Sequence, residues 1–214
     1  MKYLLIYPFL LLSILTSSCR STEYAVKEKF GIEKRDILVS DVEDARDSQE
    51  EAKEQFASAL EQFQSVVDVN GGDLEKKYNK LNKEYEKSEK RAKAVSSRIK
   101  DVERVSRDLF REWKGELKQY QSPDLRRSSE EQLRLTQDQF ESMLDTMRDA
   151  EAKMTPVLLA FRDQVLFLKH NLNSRAIASI QTEAADISRQ IEELIQDMNA
   201  SIDEANAFIE SMDG

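Results

Sequence analysis

Few side chains in this sequence have the type and placing to do chemistry. The only thiol is Cys19, in "SILTSSCRST". With one cysteine no disulfide can form within the chain. Arg20, Ser21 and Thr22 follow it, so no apolar surface surrounds it as it would a buried core cysteine. The only imidazole is His170, far along the chain and off the Val165–Leu168–Leu172 apolar seam, where a solvent-facing helix end is expected. Carboxylates are abundant, but "DVEDARDSQEEAKE" places them on the polar side of a helix, where solvation is expected rather than cation binding. No His, Cys, Asp and Glu set has the spacing of metal ligands. The Glu-x-x-His pairs of di-iron bundles are missing, as are a Gly-rich phosphate loop and a G-x-S-x-G elbow. Trp113 and the tyrosines fall at helical spacing and are expected in a core. The expectation is therefore a protein with no enzymatic activity, cofactor or metal, whose one reactive group, Cys19, is open to covalent modification.

The element that positions Cys19 is an export leader. "MKYLLIYPFLLLSILTSSC" opens with Lys2, continues with an apolar run from Leu4 to Leu15, and ends in Thr16, Ser17 and Ser18. The run has the length of a signal h-region and is too short for a transmembrane helix. Cysteine directly after the small residues resembles the lipobox of bacterial lipoproteins, in which that thiol receives a diacylglyceryl group and becomes the new N-terminus. Ser17, Ser18 and Cys19 match the pattern. Thr16 departs from it, standing where Leu is common, with Leu15 one place early. A plain secretory signal with an incidental cysteine is the alternative. Two or three acyl chains on Cys19, as the resemblance implies, satisfy the two-chain requirement for stable anchoring. Arg20 takes the place where an Asp would, by analogy with enteric lipoproteins, favour inner-membrane retention. The outer membrane is thus the expected address, with inner against outer left open.

The rest of the chain is acidic and helical in character. Net charge is −9, with 34% charged residues, five Gly and three Pro. A polyanion is a poor partner for nucleic acid, whose phosphates need Lys and Arg, and no basic, aromatic-studded window appears. High charge with few Gly and Pro fits long helices bearing one apolar stripe. Three parts are expected: a lipoprotein signal over 1–18, a lipidated N-terminus and near-neutral tether over 19–35, and a helical body over 36–214.

Within the body, periodicity marks four helices. The first begins from Asp36, with Ser40 and Glu43 as a capping box, and carries Val42, Ala45, Ala52, Phe56, Ala59, Leu60, Phe63, Val66 and Val67. "VNGGD" ends it, and Asp73 caps the next. The second has the clearest four-three alternation: Leu74, Tyr78, Leu81, Tyr85, Ala92, Val95, Ile99, Val102, Leu109, Trp113 and Tyr120, with Ser88 and Ser106 in two slots. Pro123 closes it. The third starts at Ser128, which makes a second capping box with Glu131, and runs through Leu133, Phe140, Met143, Met147, Ala150, Met154, Val157, Phe161, Val165 and Leu168. The stripe keeps phase across Pro156, which favours a kink there over a break. A phase jump between Lys169 and Arg175 places a turn, with Ser174 capping the fourth helix. A continuous helix with a local defect is the alternative. The fourth stripe is Ile177, Ile180, Ala184, Ile187, Ile191, Leu194, Met198, Ile202, Ala205, Ile209 and Met212.

Short connections make consecutive helices antiparallel neighbours, so the expected fold is all-α, an elongated antiparallel helical bundle or coiled coil of four long helices. A long hairpin completed only by a second copy is the competitor. "PVLLAFRDQVLFLKHNL" is the most apolar stretch of the body, either a well-buried helix or an apolar surface offered to a partner, with Arg162 and Asp163 free to pair elsewhere.

The runs "FGIEKRDILVSDVEDARDSQEEAKEQFASALEQF", "NGGDLEKKYNKLNKEYE" and "FRDQVLFLKHNLNSRAIASIQ" resemble an uncharacterised family of Gram-negative bacterial lipoproteins, a domain of unknown function, family 2959. The resemblance covers nearly all of the chain from Cys19 on. It implies export and a helical body and supplies no activity, substrate or catalytic residue. The expected role is a lipid-anchored envelope protein on the periplasmic face, working as a spacer or binding module for another envelope protein or for itself. A bundle that binds an apolar ligand or lipid near Pro156 to Leu172 is the alternative.

Overall fold

The structure is a computed structural model. It describes residues 34–67, 73–171 and 174–213, with 174–177 and 213 described by backbone only. Four helices run through it: α1 Lys34–Val67, α2 Leu74–Glu116, α3 Pro123–His170 and α4 Ser174–Asp213. A 3-10 turn, Leu117–Gln119, follows α2. At 1.5 Å per residue the rods are about 50–70 Å long. Each helix packs on its sequence neighbour, and α1 also packs on α4, closing a four-cornered ring. The polar pairs Arg46–Asn206, Gln49–Ser201 and Lys53–Asn199 descend α4 as they climb α1, so these two helices are antiparallel as well. The described core is closed within this one chain by residues from Ile37 to Met212. A second copy is not required to complete it.

The apolar stripes become that core. On α3 all ten expected positions are buried, from Leu133 to Leu168. Ser88 and Ser106, which fill two slots of the α2 stripe, are buried too and donate their hydroxyls to Glu84 O and Glu103 O. Bending back onto the preceding turn satisfies a hydroxyl that would otherwise be costly to bury. Phe161 is the hub of the α1–α2–α3 corner, with edge contacts to Phe63 and Tyr85 at centroid distances of 6.0 and 6.1 Å. Phe140 does the same at the other end, against Phe110 and Phe208.

The ends correct several expectations. α1 already includes Lys34, and Ser40–Glu43 lie inside it, so they form no capping box. Ile37 and Leu38 are buried, and their burial carries the helix through the local capping signal. α3 starts at Pro123, not at Ser128. Ser122 is its N-cap, its Oγ accepting from Leu125 N at 3.3 Å, and Pro123 takes the first helical position, where a missing N–H costs nothing. Pro123 therefore starts α3 rather than closing α2. Tyr120 lies beyond α2 in extended backbone and is 42% exposed, so it is no part of the seam. Asp73 caps α2 as expected, accepting from Lys76 N at 3.1 Å. Gly71 and Gly72 fall outside the described residues.

Pro156 does not break α3, and it faces solvent. The phase jump after Leu168 is a turn: α3 ends at His170, with Asn171 N donating to Leu168 O at 3.2 Å, and α4 begins at Ser174. The capping role expected of the Ser174 side chain lies outside the described residues. At that end of the bundle, Gln181 Nε2 donates to Val67 O at 2.7 Å, satisfying a carbonyl at the end of α1.

Candidate functional site

The four seams of the ring differ in tightness, and α2–α3 is the loosest. Two grooves open along it. The larger, about 870 Å³, lies toward the end where α2 finishes and α3 begins. Phe110, Phe140 and Leu144 contribute to its lining, and Arg107, Arg111, Lys114 and Lys118 stand on its α2 side. Glu141 and Asp145 line it from α3. The smaller groove, about 470 Å³, continues along the same seam between Lys93, Lys100, Leu158, Leu159 and Arg162. Arg148 spans the seam beside the larger groove, its Nη2 2.8 Å from Glu103 Oε1.

These cations form a register. Lys93, Lys100, Arg107 and Lys114 recur every seven residues on α2. Seven residues rise about 10.5 Å, and a heptad step returns to the same face of a helix. Lys93 pairs with Glu89 at 3.3 Å and Arg111 with Asp108 at 2.5 Å. Among the described residues Lys100, Arg107, Lys114 and Lys118 have no ion-pair partner.

Charge is distributed unevenly around the ring. α2 carries 14 Lys and Arg against nine Asp and Glu. α1 carries four against nine, and α4 two against nine. The acidic net charge of the chain thus hides one cationic helix. Part of its charge is spent on α1, in Arg98–Asp44 at 3.0 Å, Arg91–Glu51, and Lys34–Glu112 at 2.6 Å. The heptad row lies on the other side, toward α3.

Two groups near the α1–α2 and α2–α3 seams have shifted acidities. Burial raises Glu84, but donated hydrogen bonds from Lys87, Gln55 and Ser58 outweigh it and hold the carboxyl below its ordinary range. Burial pushes the Tyr85 phenol up, and the nearby Glu89 carboxylate adds to this against Arg162 and Lys93. That phenol, in the lining of the smaller groove, is a proton donor at neutral pH and not a nucleophile.

A Protein of unknown function family, DUF2959, has a model that matches residues 23–212. The chain belongs to this family. The match takes in all four helices almost to the end of α4. Neither a curated protein nor a solved structure matches the chain.

The residues singled out from sequence are scattered. Cys19 lies outside the described residues. His170 is exposed at the last position of α3, as expected. Arg162 and Asp163 face solvent and, among the described residues, form no ion pair. Trp113 is half-buried, and its Nε1 donates to Ser129 Oγ at 2.9 Å across the α2–α3 seam. Among the described residues no group of three or more His, Cys, Asp and Glu is placed to hold a metal ion. No helix of the described residues is long and apolar enough to cross a membrane. The stretch "PVLLAFRDQVLFLKHNL" splits in two: Val157, Phe161, Val165 and Leu168 are core, whereas Leu159, Leu166 and Phe167 are exposed. The cation row of α2 is the feature the sequence reading passed over. Its signal is the seven-residue recurrence of Lys and Arg, which the overall acidity masks.

Proposed function

We propose that the chain is a lipid-anchored envelope protein facing the periplasm, on the outer membrane, whose four-helix body has a structural or protein-interaction role without enzymatic chemistry. The observation that carries this reading is the placing of Cys19 directly after a signal-length apolar run and the small residues Ser17 and Ser18. A closed bundle about 70 Å long is a suitable spacer or presenting scaffold for such an anchor. The partner is another envelope protein or a second copy. Metabolic labelling of Gram-negative cells with a clickable palmitate analogue tests the anchor. The full-length chain should take up label, and the Cys19→Ala chain should not. Absence of label in the full-length chain, or label that persists after Cys19→Ala, contradicts the reading.

A second reading, a bundle that binds an apolar ligand or lipid, has the smaller groove in its favour. Leu158, Leu159 and Arg162 line it, within the apolar stretch where such a site is expected. Native mass spectrometry of the soluble body separates the two readings. A co-purifying lipid supports the second, and a ligand-free mass supports the first.

A further inference from the structure

We infer that the α2–α3 face is a docking surface for an anionic lipid bilayer, so that the tethered bundle lies along the membrane instead of standing away from it. The inference rests on the lipid-anchor reading for its biological setting, and on four observations for its chemistry.

The first is the row Lys93, Lys100, Arg107 and Lys114, about 31 Å long at the helical rise, with Lys118 beyond it. Four of these five cations have no ion-pair partner among the described residues. The second is apolar exposure at the two ends of the row. Leu159 on α3, 48% exposed, lines the groove that holds Lys93 and Lys100, and Tyr120, 42% exposed, follows Lys118. Basic side chains flanking exposed apolar ones are the signature of an interfacial surface, where phosphates meet the cations and the apolar groups enter the acyl boundary. The third is the segregation of charge. Helix α4, diagonally across the ring from α2, has nine acids to two bases. Helix spacings of 8–10 Å put the far surface of a bundle about 20 Å from the near one. That exceeds the Debye length of about 8 Å at physiological salt. On the face itself the linings of the two grooves hold eight Lys and Arg against four acids, Glu89, Glu103, Glu141 and Asp145. The bilayer therefore meets a face of net positive charge and is screened from the acids of α4 behind it. The fourth is where the body is tied. Lys34, the first described residue, pairs with Glu112 on α2, at the bundle end that holds the larger groove. Only residues 20–33 separate it from Cys19, a reach of at most about 50 Å, so the Lys114 end of the row is the end tied nearest the anchor.

A second copy offering its acidic α4 is the competing occupant. The described core is closed within one chain and needs no second copy, whereas the anchor keeps the bilayer within reach of the row at all times.

Vesicle co-sedimentation tests the inference, using the chain from Arg20 onward so that acylation plays no part. Its fold is checked by circular dichroism. Binding is expected to vesicles of phosphatidylcholine with about a third phosphatidylglycerol, and not to phosphatidylcholine alone. Each Lys or Arg at an anionic surface contributes about fivefold to partitioning. The triple variant Lys100→Glu, Arg107→Glu, Lys114→Glu should therefore lower binding by about a hundredfold or more, and high salt should abolish binding of the parent chain. Lys100, Arg107 and Lys114 are exposed, so the variant is expected to fold. Equal binding to both vesicle types, no binding to either, or anionic binding unaffected by the triple variant overturns the inference. So does a dimer that forms without vesicles and is lost in the variant, which assigns the face to a second copy. Because Cys19 is absent from this chain, failure here leaves the acylation result standing, and failure of acylation leaves this one readable.

Discussion

Phe161 and Phe167 are the same residue type, six positions apart in one apolar stretch of α3, and they should differ sharply when truncated. Phe161 is 0% exposed and meets two rings, whereas Phe167 is 39% exposed. A fully buried Phe hides about 150–250 Å², which at about 25 cal/mol per Å² gives roughly 4–6 kcal/mol as an upper figure. Alanine retains part of that, and measured Phe→Ala costs in cores run to about 3–5 kcal/mol. Two edge contacts at about 0.5–1.5 kcal/mol each place Phe161→Ala toward the top of that range. Against a total stability of about 5–15 kcal/mol, this removes a third or more and lowers Tm by roughly 10 °C for a body of this size. Phe167→Ala should cost about 1 kcal/mol or less. Urea unfolding followed by circular dichroism at 222 nm reads both. A cost below about 1.5 kcal/mol for Phe161→Ala, or equal costs for the two variants, would refute the assignment of faces on α3.

Three other perturbations probe the remaining seams. Ser201 Oγ donates to Gln49 Oε1 at 2.9 Å in a fully buried α1–α4 contact, and Gln49 Nε2 has no partner. Ser201→Ala alone should cost about 1–3 kcal/mol, and Ser201→Ala with Gln49→Leu should recover most of it, because removing both partners leaves no stranded polar group; urea melts showing no recovery in the double variant would contradict this. Pro156 interrupts the hydrogen-bond ladder of α3 while facing solvent, so Pro156→Ala should stabilise the body by about 1–3 kcal/mol, and a drop in Tm would show that the proline shape is needed for packing. Glu84 is held below its ordinary acidity by Lys87, Gln55 and Ser58 although burial opposes this. A depressed carboxyl contributes stability above its unfolded pKa and loses it as pH falls through the folded value, so the α1–α2 tie weakens below about pH 4.5. The Glu84→Gln variant should lose less stability than the parent between neutral pH and that range, and parallel pH profiles would contradict it.

Much of this architecture is legible in the sequence because burial follows apolar period, as the unbroken α3 stripe from Leu133 to Leu168 shows. The misreadings have particular causes. Ser40 and Ser128 carry sound local capping signals, but burial of Ile37 and Leu38 overrides the first and the Ser122–Pro123 start pre-empts the second. Pro123 is ambiguous by nature, since a proline that cannot continue one helix is well suited to begin the next. Gln49 and Ser201 read as surface residues by type, and only the fold shows that each is the other's partner. The cation row on α2 is present in the sequence as Lys93, Lys100, Arg107 and Lys114, yet a summed charge of −9 conceals it until the helices are placed around the ring. Cys19 is the reverse case: the acylation proposed for it rests entirely on its neighbours along the chain.

The central claim is that this bundle is tied to a membrane through Cys19. Mass spectrometry of the N-terminal peptide of the protein purified from membranes tests it most directly. The account predicts a chain that begins at Cys19 and carries the mass of a diacylglyceryl group, with or without a third acyl chain. A mature N-terminus at another residue, or an unmodified Cys19, contradicts it.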